Sequence, residues 1–130
     1  FKRSKKKMNE EQLREIALLA EELGFKPNSY TTNFVLGQLC GDFKEKHVEE
    51  TAYYLLLCEI QLWLLGTPDI HVEILRYTDN TFSAQLCGDR FPHAYDDENA
   101  PFEAFNCKSL PDALAIAILE ALKIIKNENN

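Results

Sequence analysis

The stretch SLPDALAIAILEALKIIK, residues 109–126, decides how this chain folds. Ser109, Pro111 and Asp112 read as a helix start, a Ser-x-x-Asp cap with proline in the first turn. Lys123 and Lys126 stand near the other end, where positive charge suits the helix dipole. Between them Leu114, Ile116, Ile118, Leu119, Leu122, Ile124 and Ile125 take nearly every azimuth, while Ala113, Ala115, Ala117 and Ala121 permit close approach. An ordinary surface helix carries a single apolar stripe. This one needs cover on several sides, more than one small sheet can supply. Either the helix of residues 47–65 packs beside it or a second copy does. Symmetric homodimers are the commonest oligomers, so Leu114, Ile118, Leu122 and Ile125 are the expected dimer contacts.

Upstream, Ile70, Val72 and Ile74 alternate with His71 and Glu73, and Phe82, Ala84 and Leu86 alternate with Thr81, Ser83 and Gln85. Two half-buried strands therefore flank YTDNT as a hairpin. A two-residue Asp79-Asn80 turn would set Ile74 against Gln85. A three-residue loop, Thr78 to Asn80, instead aligns Ile74 with Ala84 and Val72 with Leu86, and gives Asn80 the left-handed position such loops need. The second register is expected. PFEAFNC adds a third, edge strand.

Residues 47–65 read as a helix, opened by Glu49 and Glu50 and stopped by Gly66 and Pro68. Its apolar part, the 14 residues 52–65, is interrupted by Glu59 and Gln61 and is too short for a membrane span. Residues 10–23 form an amphipathic helix on Leu13, Ile16, Ala17, Leu19, Ala20 and Leu23, with Gly24 as its left-handed cap. For residues 30–40 a helix capped by Thr31 or Thr32 is preferred, although Thr, Tyr, Phe and Val also suit a strand. The fold class is α+β: a hairpin or small three-stranded antiparallel sheet against a long central helix and a C-terminal helix, with an N-terminal helical segment. Residues 1–7 are expected to be a basic leader or upstream extension, and 8–130 one globular domain.

The pentapeptide Gln-Leu-Cys-Gly-Asp occurs at residues 38–42 and again at 85–89. Its flanks do not repeat, and a structural repeat would extend over about 20 residues or more. The two copies therefore read as element ends, each closed by glycine, with Leu39 and Leu86 in the core. Cys40, Cys58, Cys87 and Cys107 show no C-x-x-C and no histidine at metal-ligand spacing, which points to free thiols in a reducing cytoplasm, with neither metal nor cofactor.

In the order helix, Gly-Thr-Pro link, hairpin, aromatic and acidic loop, then SLPDALAIAILEALKII, residues 48–125 resemble the small helix-hairpin-helix sandwich proteins of tailed phages and prophages. The final helix of those proteins often reads P-x-A-I-x-x-A-x-L-x-A. The resemblance implies an α/β/α-type sandwich and a phage or mobile-element origin. It carries no agreed catalytic residues.

Net charge is −7, and five of the 14 basic residues lie among the first seven, so residues 8–130 hold nine basic against 21 acidic side chains, net −12. Such a body repels nucleic acid. No Gly-rich phosphate loop and no Gly-x-Ser-x-Gly is present. The leading expectation is a non-enzymatic accessory or regulatory protein that binds a protein partner through its acidic surface and the loop of residues 90–105. The candidate binding residues there are Arg90, Phe91, His93, Tyr95, Asp96, Asp97, Glu98, Phe102 and Phe105. The alternative is a small-molecule or nucleotide binder. Trp63, Tyr77, Phe82, Phe91, Tyr95, Phe102 and Phe105 would line its pocket, with Arg76 or Arg90 fixing an anion. A lesser alternative is an enzyme using Cys87 with His93 or His71.

Overall fold

The computed structural model describes residues 9–41, 49–96 and 98–129. Four helices and three strands follow in the order α1 (Glu10–Glu22), α2 (Tyr30–Cys40), α3 (Glu50–Leu64), β1 (His71–Arg76), β2 (Phe82–Cys87), β3 (Glu103–Cys107) and α4 (Leu110–Glu128). The expected helix start at His47 lies outside the described residues, and so does the leader.

Three of the four helices, α1, α2 and α4, begin where a short polar side chain meets orphan amides. The Asn9 side chain accepts from the Glu11 and Gln12 N–H groups, and the Ser109 hydroxyl accepts from that of Asp112. At the end of α1 the Gly24 N–H donates to the Glu21 carbonyl and the Phe25 N–H to that of Ala20, at 2.9 Å in the second case. Gly24 sits at φ +101°, the left-handed turn that this closure requires. Phe25 is thereby turned inward, edge-on to Trp63 at 5.9 Å between ring centres.

The sheet is antiparallel in the order β1-β2-β3, and its hairpin has the three-residue loop. Ile74 faces Ala84 and Val72 faces Leu86. The Tyr77 N–H donates to the Thr81 carbonyl across the loop, and Asn80 takes φ +66°. β3 carries a bulge: Ala84 faces Ala104 and Phe82 faces Cys107, so β3 has one residue more than β2 over that interval. Asn106, at φ +61°, stands in the bulge. This restores the alternation, so that Ala104 and Cys107 both point to the core side.

α4 packs against the inner face of all three strands, against α1 and against α3. The helix of residues 47–65 is thus only one of its covers, and the sheet lies on α4 more than on α3. The expected contacts with a second copy on α4 require correction. Leu114, Ile118 and Leu122 are at most 2% exposed within one chain, and Ile125 is half-buried against the same core. The missing cover is α1, whose Leu13, Ile16, Ala17 and Ala20 form its buried side. Lys126 of α4 pairs with Glu22 of α1 at 2.7 Å, fixing the ends of the two helices side by side.

α2 is held by a buried carboxylate. Glu59, in the middle of α3, accepts from the Asn28 N–H at 2.8 Å, the Ser29 hydroxyl at 2.8 Å and the Thr32 hydroxyl at 2.9 Å. Ser29 caps α2 while donating to Glu59, and Thr32 is fully buried beneath it. Burial by itself would push the Glu59 carboxyl up, but the hydrogen bonds from Asn28, Ser29 and Thr32 outweigh it and hold the group below the ordinary carboxylate value. The pentapeptide repeats close different elements: Gly41 ends α2, and Gly88, at φ +124°, follows β2. Leu39 and Leu86 are both buried.

Two stability measurements check this packing. Ile118→Ala empties a fully enclosed site between α4 and its covers, and urea unfolding is expected to register a loss of about 2–5 kcal/mol. Glu59→Gln is expected to cost about 1–3 kcal/mol at neutral pH. Because the folded-state pKa of Glu59 is lowered, its contribution is present above the unfolded carboxylate value near about 4.3 and is lost as pH falls through the folded value. The gap between wild type and the glutamine variant should therefore narrow below about pH 4.

Candidate functional site

With α4 on one face of the sheet, the other face is left to side chains that alternate with the core positions. On β1 these are His71, Glu73 and Leu75, on β2 Ser83, Gln85 and Cys87, and on β3 Glu103 and Phe105. A depression of about 420 Å³ forms there, lined chiefly by Glu73, Leu75, Tyr77, Tyr95, Glu103 and Phe105. Tyr77 follows β1 and reaches back over the sheet, its hydroxyl 3.2 Å from that of Ser83. Tyr95 comes from the connection between β2 and β3. Leu75 is 50% exposed, Phe105 62% and Tyr95 70%, much apolar surface for a solvent-facing sheet.

The polar groups of this face converge on Glu73. Its Oε1 accepts from the Tyr95 hydroxyl at 3.3 Å and from the Gln85 side-chain amide. The same Tyr95 hydroxyl also acts on the Cys87 thiol as a hydrogen-bond partner. Burial pushes the Cys87 thiol up, the Tyr95 hydrogen bond pulls it down by less, and the Glu73 charge adds to the rise. The Tyr95 phenol is raised in turn, first by its bond to Cys87. Cys40, the cysteine of the other pentapeptide, is on α2 and is pushed up to about 11 by burial and then by Glu21. A nucleophilic thiol needs the opposite shift.

The residues expected from sequence are dispersed by the fold. Tyr95 and Phe105 of the loop set, with Tyr77 of the aromatic set, meet on the outer face. Phe91 and Phe102 are half-buried against the core, as are Trp63 and Phe82 of the aromatic set, so the expected seven-aromatic pocket does not form and needs correction. Arg90 is a tie within the fold. Its guanidinium donates to the Pro68 carbonyl at 2.5 Å, pairs with Glu128 at the end of α4 and lies over the Phe91 ring at 5.2 Å. Arg76 is engaged with the Asn80 side chain at 2.7 Å, leaving neither arginine placed to fix an anion among those aromatics. Asp96 accepts from the Glu98 N–H and the Asn99 amide, both at 3.0 Å, which lowers its pKa and closes a local turn. His93 and Glu98 are exposed at the surface of this connection, and Asp97 lies outside the described residues.

Sequence reasoning missed Glu73, Leu75, Gln85 and Glu103. The period-two alternation of the hairpin placed the first three on one face, and the signal was there to use. Glu103 required the register of β3, which depends on the bulge.

Among the described residues no three His, Cys, Asp or Glu side chains gather to hold a metal ion, and no helix is long and apolar enough to cross a membrane. A larger groove of about 630 Å³ lies between α2 and α3, lined by Phe34, Ala52, Tyr54, Leu55 and Cys58 among others, with Glu49 the one charged lining residue among the described residues. Polar and aromatic groups do not converge there as they do on the sheet.

Fold and site together define a class: an α+β protein whose three-stranded antiparallel sheet is covered by helices on one side and presents an aromatic, carboxylate-bearing face on the other. Comparison with protein-family models, with curated proteins and with solved structures finds no match for this chain.

The thiol environment makes a paired expectation. Followed by mass spectrometry, the pH midpoint for alkylation of Cys87 by iodoacetamide should move down in Glu73→Gln, which removes the raising charge, and up in Tyr95→Phe, which removes the stabilising hydroxyl.

Proposed function

We propose that this protein is a non-enzymatic accessory or regulatory protein that acts by binding a protein partner through the outer face of its sheet. One observation carries the reading: Leu75, Tyr77, Tyr95 and Phe105 are exposed together beside Glu73 and Glu103, on a face that no element of the chain covers among the described residues. Large exposed apolar groups set among polar ones mark interaction sites, and tyrosine and phenylalanine supply contact area at low entropic cost. The thiol reading is less favoured: His71 faces Cys87 across the β1–β2 pair, but the thiol is held toward its protonated form, first by burial, and the hydrogen bond that acts on it comes from the Tyr95 hydroxyl. The acidic surface of the sequence expectation is retained in part. Its relevant members are Glu73 and Glu103, on strands, more than the loop carboxylates.

A photo-crosslinking residue at Phe105 tests this in cells making the protein, with the same residue at Glu15 on α1 as control. A discrete protein adduct is expected from position 105 alone, and it should vanish when Tyr95→Ser is added. An adduct formed equally from position 15, or one that survives Tyr95→Ser, would refute the assignment of this face. Phe105 and Tyr95 are largely exposed, so both substitutions should change stability by less than about 0.5 kcal/mol.

A further inference from the structure

Glu73 faces Gln85 and Gln85 faces Glu103, so the three side chains form one row straight across the sheet. Neighbouring strands lie about 4.8 Å apart, which sets the two glutamate backbones about 10 Å from each other. The next row holds Leu75, Ser83 and the bulged Phe105, with Tyr77 over Ser83, while Tyr95 flanks Glu73. Two carboxylates thus border a floor of aromatic rings. Glu73 is bonded only to neutral donors, and Glu103 has no hydrogen-bond or ion-pair partner among the described residues. Of the two arginines near the hairpin, Arg76 is engaged at the loop with Asn80, and Arg90 is tied at the other end to the Pro68 carbonyl and Glu128.

Resting on the reading of this face as a partner site, we propose that its occupant is an arginine side chain presented by an extended basic segment of another protein. The guanidinium lies over the rings of Tyr95 and Phe105 and donates to Glu73 and Glu103.

The argument is charge complementarity combined with shape. Ring faces attract cations through their quadrupole, and carboxylates add a direct pair to the same group. A guanidinium is planar, weakly hydrated and forked, so it can stack on a ring while donating sideways to carboxylates on both flanks. An ammonium group is a compact, strongly hydrated point charge with no planar face to stack on a ring. Leu75 and Tyr77 extend the apolar floor beyond the carboxylate row, giving the neighbours of the arginine a surface to lie on. Aromatic sheet faces also stack nucleic-acid bases. Here phosphates would meet two carboxylates on a chain of net charge −7, which disfavours that occupant.

The test titrates the full chain, isotope-labelled for amide NMR, with a blocked pentapeptide Thr-Val-Arg-Val-Thr. Its counterparts carry lysine, citrulline or glutamate at the centre, and a thymidine oligonucleotide is run alongside. The arginine peptide is expected to shift the amides of Glu73, Gln85, Glu103 and Phe105, and to bind more weakly as salt is raised. Citrulline keeps the shape and removes the charge, and should bind about fivefold or more weakly. Glu73→Gln and Glu103→Gln should each weaken the arginine peptide about fivefold. Glu103 is exposed and its side chain has no hydrogen-bond or ion-pair partner among the described residues, so its variant keeps the test valid if Glu73→Gln disturbs the fold.

Equal binding of the citrulline peptide, no loss in the glutamine variants, or stronger shifts of these amides by the oligonucleotide would each overturn the proposal. The two readings fail separately. If position 105 still crosslinks a partner while the arginine peptide does not bind, only the arginine assignment falls; if neither occurs, the face itself is not a docking surface.

Discussion

The structure depends on the need to cover α4. That helix is apolar around most of its circumference, and water must be excluded from all of it at once. The sheet covers one side, α3 another and α1 a third. Each cover has its own buried stripe, Val72, Ala84 and Leu86 from the sheet, Ile60 and Leu64 from α3, Leu13 and Ile16 from α1. Alanines at 113, 115, 117 and 121 are all within 1% of full burial and allow neighbouring elements to approach closely. The outer sheet face exists as a consequence. α4 takes the inner face, and among the described residues no helix is packed on the other.

A second constraint links the segments that α4 does not reach. α2 makes its contacts with α1 and α3, and its start is pinned by Glu59. A buried carboxylate with three neutral donors at a helix N-terminus is favourable because the donors and the dipole there face negative charge. The group needs no cation to be satisfied. This differs from Glu73 and Glu103, whose carboxylates stand on the outer sheet face where water can reach them, and it is to those two, not to Glu59, that we assign a recognition role by proposal.

Local chemistry made much of this legible. The hairpin register followed from placing apolar residues on one face and from the left-handed tolerance of Asn80, and both hold in the structure. The Ser109 cap, the Gly24 closure and the helical preference for residues 30–40 were likewise readable from neighbouring residues. The site was legible only in part. Tyr77, Tyr95 and Phe105 were among the aromatics singled out, but the same reasoning included Phe91, Phe102, Trp63 and Phe82, since composition does not say which side of a sheet a ring takes. Arg90 looked like an anion ligand from sequence because its partners, Pro68 and Glu128, are 22 and 38 residues away.

By itself, the sequence determined the elements, the Ser109 cap and the Gly24 closure, the pairing of β1 with β2 and the fact that residues 110–128 must be enclosed, whereas α2 is capped by Ser29 and not by the expected Thr31 or Thr32. These rest on interactions among residues close in the chain, or on a periodicity that a short window reveals. Tertiary structure alone decided what encloses that helix. The periodicity of α1 announced a buried stripe without naming its partner, and a second copy of the chain would have satisfied the same requirement. It also decided the row Glu73, Gln85 and Glu103, because a one-residue bulge at Asn106 sets which β3 side chains lie outward, and bulges depend on how a strand meets its neighbour.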